Sequence, residues 1–139
     1  MNSAFNGFPD AVSESFWFRV IFNSANSLST GNRYEVQIQY IYDDEIPESY
    51  VNVEIFDNGT SISTGNYFTP TNALWRFTIA LESGGNIVVK ADEGSGVPTT
   101  TIVTVNDSTH TDFAYLIIGA NNVTGGVIAN VDNVIISDL

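Results

Sequence analysis

The sequence predicts an all-β domain, a two-sheet antiparallel β-sandwich of jelly-roll type with about eight strands. Three observations lead there. Apolar and polar residues alternate with a period of two along several stretches, turn signals separate those stretches, and no segment holds a helical period beyond one turn. Strands with one oily and one wet face belong to antiparallel sheets, and two such sheets bury their oily faces against each other.

The clearest alternation runs over 33–42, where Tyr34, Val36, Ile38, Tyr40 and Tyr42 point one way and Glu35, Gln37 and Gln39 the other. The stretch 50–56 repeats it, with Val51, Val53 and Ile55 inward and Asn52 and Glu54 outward. The stretch 74–81 does so again, with Trp75, Phe77, Ile79 and Leu81 inward and Arg76 and Thr78 outward. Composition marks 16–22, 86–91, 100–105, 113–118 and 127–137 as further strands. The nearly all-apolar 113–118 reads as a central strand covered on both faces. Turns fall at 29–32, 57–59, 83–86 and 94–98, each rich in Gly, Asn, Ser or Pro. Residues 1–12 carry no strand alternation and read as an N-terminal arm or edge strand before a single sandwich domain over 13–139.

A chain of 139 residues is long enough to bury a core without staples, and 43% of it is apolar. It has no cysteine, which removes disulfides and thiolate metal sites. Charged residues are only 14%, against ~25% in ordinary soluble domains. Asn, Ser and Thr take their place, a mix that suits an extracellular or particle-surface protein. Sixteen acids against three Arg and one Lys leave a net charge of −12. Nucleic acid and anionic membranes therefore make poor partners, because both need cations to neutralise phosphate. Cations and neutral polar ligands such as sugars suit the balance better. No apolar run reaches the ~20 residues of a membrane helix, so no membrane insertion is expected, and no signal-peptide pattern opens the chain.

The segments "LSTGNRYEVQIQY" at 28–40, "LWRFTIAL" at 74–81 and "ANVDNVIISDL" at 129–139 run in an order that resembles the jelly-roll carbohydrate-binding modules of glycan-degrading enzymes. Sequences of this type also occur in phage decoration and fibre proteins. The resemblance implies a non-catalytic module displayed outside the cell or on a virion surface, with a glycan or a neighbouring structural protein as partner. It also implies that the first acid of the closing motif, here Asp132, helps hold a structural calcium; Asp10 is a candidate second ligand, outside the family's opening pattern. The family's opening Asn-Gly-Gly-Phe-Glu strand is replaced by "FNGFPD" at 5–10. The alternative for Asp132 is a strand-end carboxylate satisfied by backbone N–H groups.

The candidate binding surface is the outward set Gln37, Gln39, Asn52 and Glu54, with Arg76 if its strand lies nearby. Amides, carboxylates and guanidinium groups offer the matched donors and acceptors that sugar hydroxyls require. Trp17, beside Arg19, and Phe56 are the candidate aromatic platforms. An ordinary solvated sheet face is the competing reading. Asp43, Asp44, Glu45 and Glu48 form an acidic loop broken by Pro47, read as a solvated connection that keeps strand edges from pairing.

Catalysis finds little support. His110 is the only histidine, in the turn-like "DSTHTD", and reads as an exposed loop residue. No Gly-x-Ser-x-Gly elbow and no phosphate-binding glycine loop are present. The expected function is glycan binding, virion decoration, or both. A purely structural subunit that assembles with copies of itself is the alternative, and a small hydrolase a remote one.

Overall fold

A computed structural model describes residues 2–6, 15–41, 50–68, 74–93, 97–122 and 128–132. Every strand pairing in it is antiparallel. The strands are β1 (Asn2–Asn6), β2 (Ser15–Asn23), β3 (Arg33–Ile41), β4 (Tyr50–Asp57), β5 (Thr60–Phe68), β6 (Leu74–Leu81), β7 (Asn86–Glu93), β8 (Thr101–Asn106), β9 (Tyr115–Asn122) and β10 (Ile128–Asp132). One sheet runs β5-β4-β3-β2-β9; the other is the triplet β6-β7-β8, continued past β6 by the short β1 and β10. The fold is a β-sandwich.

The winding has two parts. Terminal strands pair with each other across the chain, β1 with β10 and β2 with β9, as in the outer turn of a jelly roll. Inside that turn the chain runs as meanders, β2 to β5 in one sheet and β6 to β8 in the other.

The alternation seen in the sequence is the reason for the core. Phe18 and Val20 of β2, Tyr34, Val36, Ile38 and Tyr40 of β3, and Val51, Val53 and Ile55 of β4 line the inner face of the five-stranded sheet. Phe77 of β6, Ile87, Val89 and Ala91 of β7, and Val103 of β8 meet them from the other side. Ile79 and Leu81 pack against this cluster as well. Removing these side chains from water, at about 1.5–3 kcal/mol for each large one, is what holds the sheets together.

Three elements differ from the sequence reading. Strand β5 was not expected at all. Its inward positions include Ser63 and Gly65 because it sits at a sandwich edge tight against β8. A Cβ on Gly65 would lie 2.2 Å from the Ile102 carbonyl oxygen, so no larger residue fits. Residues 2–6, expected as an arm or edge, form a strand paired on both flanks, to β10 and to β6. The apolar run 113–118 is no central strand: among the described residues β9 pairs only with β2, and its Tyr115 and Ile118 are exposed. Phe113 lies before the strand and packs on the core instead.

Candidate functional site

The outward residues of the five-stranded sheet fall into cross-strand rows set by register. In the first row Asn66, Asn52, Gln39 and Trp17 stand opposite one another from β5 to β2. The second row is Thr64, Glu54, Gln37 and Arg19, ending at Gly119 on β9. Directly opposed residues project from the same side of an antiparallel pair, and strands lie ~4.8 Å apart, so each row reaches roughly 14 Å from β5 to β2. Trp17, Gln37, Gln39, Asn52 and Glu54 therefore share one face, in two adjacent rows. Each of the five side chains is half-buried.

The two ends of this face differ. At the β4–β5 end, the Asn52 amide nitrogen donates to Asn66 Oδ1 at 2.7 Å and to Thr64 Oγ1 at 3.1 Å. Those amides already hold one another in place. At the β2 end, the Arg19 guanidinium lies over Trp17, 5.3 Å from the ring centroid. It approaches Glu35 at 3.6 Å, while Gln37 donates to the same Glu35 oxygen at 2.9 Å. Arg19 lies beside Gly119 of β9, where an added Cβ would rest in ordinary contact with its Nε at 3.4 Å. Arg19, Thr64 and Asn66 belong to the face although the sequence reading left them out. Thr64 and Asn66 were missed with their strand; Arg19 was visible as the neighbour of Trp17.

A third row, Ser61, Phe56, Glu35, Ile21 and Ile117, grades the face from polar to oily. Ile21 is only 1% exposed and Glu35 8%, although both are on the outward side. Next along β2, Asn23 is fully buried by the 24–32 loop. Its Nδ2 donates to the Ser27 and Thr30 carbonyls and its Oδ1 accepts from Ala25 N–H.

Arg76 does not join the site. It is on β6, in the other sheet, and projects from the opposite outer face of the sandwich, in register with Asn2 and Asp92. Alternation showed that it points outward but not from which sheet. Asp132 is on β10 in register with Asn2. Asp10 and the acidic loop residues Asp43, Asp44, Glu45 and Glu48 lie outside the described residues. Among the described residues no group of three or more His, Asp or Glu gathers in a metal-binding arrangement. The calcium reading therefore rests on the resemblance alone.

A second polar cluster sits at the end of the sandwich where the β8–β9 loop meets the β4–β5 turn. The Tyr34 hydroxyl has two acceptors on Asp107, Oδ1 at 2.9 Å and the carbonyl at 3.0 Å, and accepts from His110 N–H at 3.2 Å. Burial, chiefly, pushes the Tyr34 phenol above its ordinary value. The Thr109 hydroxyl and N–H hold the Asp107 carboxyl below its own. His110 is not an exposed loop residue: its side chain is 5% exposed, with its ring centroid 5.1 Å from that of Tyr34 and tilted 50° to it. Its Nε2 lies 2.6 Å from Asp57 Oδ1, a distance that requires an N–H donated to the carboxylate. Its Nδ1 is buried with no hydrogen-bond partner. The Asp57–His110 contact thereby joins the β4–β5 turn to the β8–β9 loop.

No helix among the described residues is long and apolar enough to cross a membrane. No family model, curated protein or solved structure matches this chain.

Proposed function

We propose that this protein is a non-catalytic binding module that takes a neutral, hydroxyl-rich ligand, a glycan chain, on the outer face of the sheet β5-β4-β3-β2-β9. One observation carries the reading. Five side chains of the kinds that hold sugars, one of them a tryptophan, are drawn from three separate strands into two neighbouring rows. The Gln39 amide can both donate and accept, and the Asn52 carbonyl, its two N–H donors turned to Asn66 and Thr64, can accept, as hydroxyl arrays require. Half-buried Trp17 offers apolar indole surface for a sugar's C–H groups, and Arg19, 5.3 Å from its ring centroid, adds donors. A net charge of −12 steers the module away from polyanions and leaves neutral glycans favoured.

A glycan array probed with the intact protein tests this. Binding to at least one neutral glycan is expected, and Trp17→Ala should weaken it tenfold or more while Arg76→Ala, on the far face, leaves it unchanged. Silence across the array, or equal loss from both substitutions, would overturn the proposal.

Display outside the cell or on a virion surface accords with the low charge content and with the resemblance. A second reading, a self-assembling structural subunit, is favoured by one observation: β9 pairs on one flank only among the described residues and exposes Tyr115 and Ile118. Sizing chromatography separates the readings, since a stable trimer or larger species speaks for assembly and a monomer for a simple binder. A structural calcium at Asp132 belongs to the same proposal by resemblance. A melting midpoint unmoved by calcium or chelator would remove it.

A further inference from the structure

The β4–β5 turn carries chemistry that the binding face does not use. Asp57 pairs with Thr60, so the hairpin closes on Asn58 and Gly59 alone. Both residues have positive φ, 47° and 87°, the combination a type I′ turn demands and Asn-Gly best supplies. Asn58 is exposed to water. The nitrogen that follows it belongs to a glycine, with no side chain to shield it; a Cβ there would meet only Arg33 Nη2, at 3.6 Å.

The Asn58 carboxamide is held on two sides. Its Oδ1 accepts the Arg33 N–H at 3.1 Å. Its Nδ2 abuts His110 Nε2 at 3.0 Å, and that imidazole is itself pinned by Asp57 and by the Tyr34 ring. To bring Cγ onto the Gly59 nitrogen, the carboxamide must give up the Arg33 bond and swing past this wall. The Nε2–H is already given to Asp57, so the amide nitrogen of Asn58 faces a donor and gains nothing there.

We propose that Asn58 is a site of spontaneous deamidation and that His110 sets its rate by confining the carboxamide. The Gly59 nitrogen loses its proton to solvent and bonds to Asn58 Cγ. The Cγ–Nδ2 bond breaks, ammonia leaves, and a five-membered imide ring remains. Water then adds to either ring carbonyl and opens the ring. One opening yields aspartate; the other yields isoaspartate, with an extra methylene in the main chain. Water is the sole co-reactant. The aspartate product keeps the two-residue turn and its register. The isoaspartate product lengthens a two-residue turn and breaks the Asp57–Thr60 register.

The test is peptide-mapping mass spectrometry of the intact protein aged in mildly alkaline buffer. The mapping must resolve Asn58 from Asn6, the other asparagine followed by glycine. A one-dalton gain at Asn58 is expected, slow in the wild type and severalfold faster in His110→Ala. Gly59→Ala should suppress the gain in both. The wild type unfolded in urea supplies a second comparison should His110→Ala not fold, and it too should modify Asn58 faster than the folded chain. Equal rates in the folded chain and in these comparisons, or no gain at Asn58 in any of them, would overturn the proposal. None of these outcomes bears on glycan binding.

Discussion

Two clusters of polar side chains sit on the same sandwich and are put together differently. At the Tyr34 end, hydroxyl, carboxylate, imidazole and backbone N–H are directed at one another, and little capacity is left for a partner. On the outer face of β2 to β5, the Asn52 amide is bonded to its neighbours on β5, but Gln39 and Glu54 present their groups outward. Polar groups spent on each other hold loops in place; polar groups held in place and left facing solvent can hold a ligand. Substitutions in the first cluster should therefore cost stability, and those in the second should cost binding.

Tyr34→Phe gives the largest expected effect. It removes the hydroxyl while leaving the ring, and so strands the His110 N–H and one Asp107 acceptor. Such a loss costs about 2 kcal/mol. Urea unfolding should show the midpoint falling with an unchanged slope; a shift as small as that of a surface change would mean the cluster is not a clamp.

Acid should come next. Hydrogen bonds from Thr99 and Thr100, the Thr100 hydroxyl foremost, hold Asp92 down at about 2. The carboxylate of Asp92 ties the 97–100 segment to the end of β7 through Thr99 N–H and Oγ1. A carboxyl whose folded value is depressed lends stability that is complete above its unfolded value near ~4 and is lost as pH falls through the folded value. Melting midpoints should therefore fall between about pH 4 and pH 2, with Asp107, also depressed, adding to the slope. Asp92→Asn should lower stability at neutral pH and flatten that slope, by on the order of 1 kcal/mol once solvent screening is allowed for. An unchanged pH profile would show that the threonine bonds do not persist in solution.

The smallest effect on stability should come from Gln39→Ala. A substitution on this face is expected to cost within about 0.5 kcal/mol of folding. The same change should weaken glycan binding about tenfold, a loss near 1.4 kcal/mol by calorimetry. Equal stability losses from Gln39→Ala and Tyr34→Phe would erase the distinction between the two clusters.

How much of this was legible beforehand follows from what alternation does and does not encode. The period of two identified the buried set of β3, β4 and β6 and the outward set of β3 and β4, because each strand there has one oily face. It could not reveal β5, whose inward positions hold Ser63 and Gly65 where β8 comes too close for anything larger. It gave Arg76 a direction but no sheet, since alternation is blind to which strands are neighbours. An apolar run misled at 113–118, where Phe113 and Leu116 pack on the core while Tyr115 and Ile118 are exposed. His110 offered no signal at all: a polar loop residue has no period, and its burial depends on Tyr34 and Asp57, more than fifty positions away. Five of the six proposed binding residues came together because three of their strands, β2, β3 and β4, are consecutive neighbours.

The pairing of β1 with β10 and of β2 with β9 sets an order on how the molecule is made. Asn2 finds its partner at Asp132 and Phe16 at Asn122, so both early strands wait for the last quarter of the chain. During synthesis β3, β4 and β5 can zip as neighbours, while β2 keeps one flank open until β9 has emerged. Pairings this remote in sequence slow folding. Chains halted before residue 115 should bare the β2 flank to one another, and a ribosome-stalled series would locate the length at which that hazard ends.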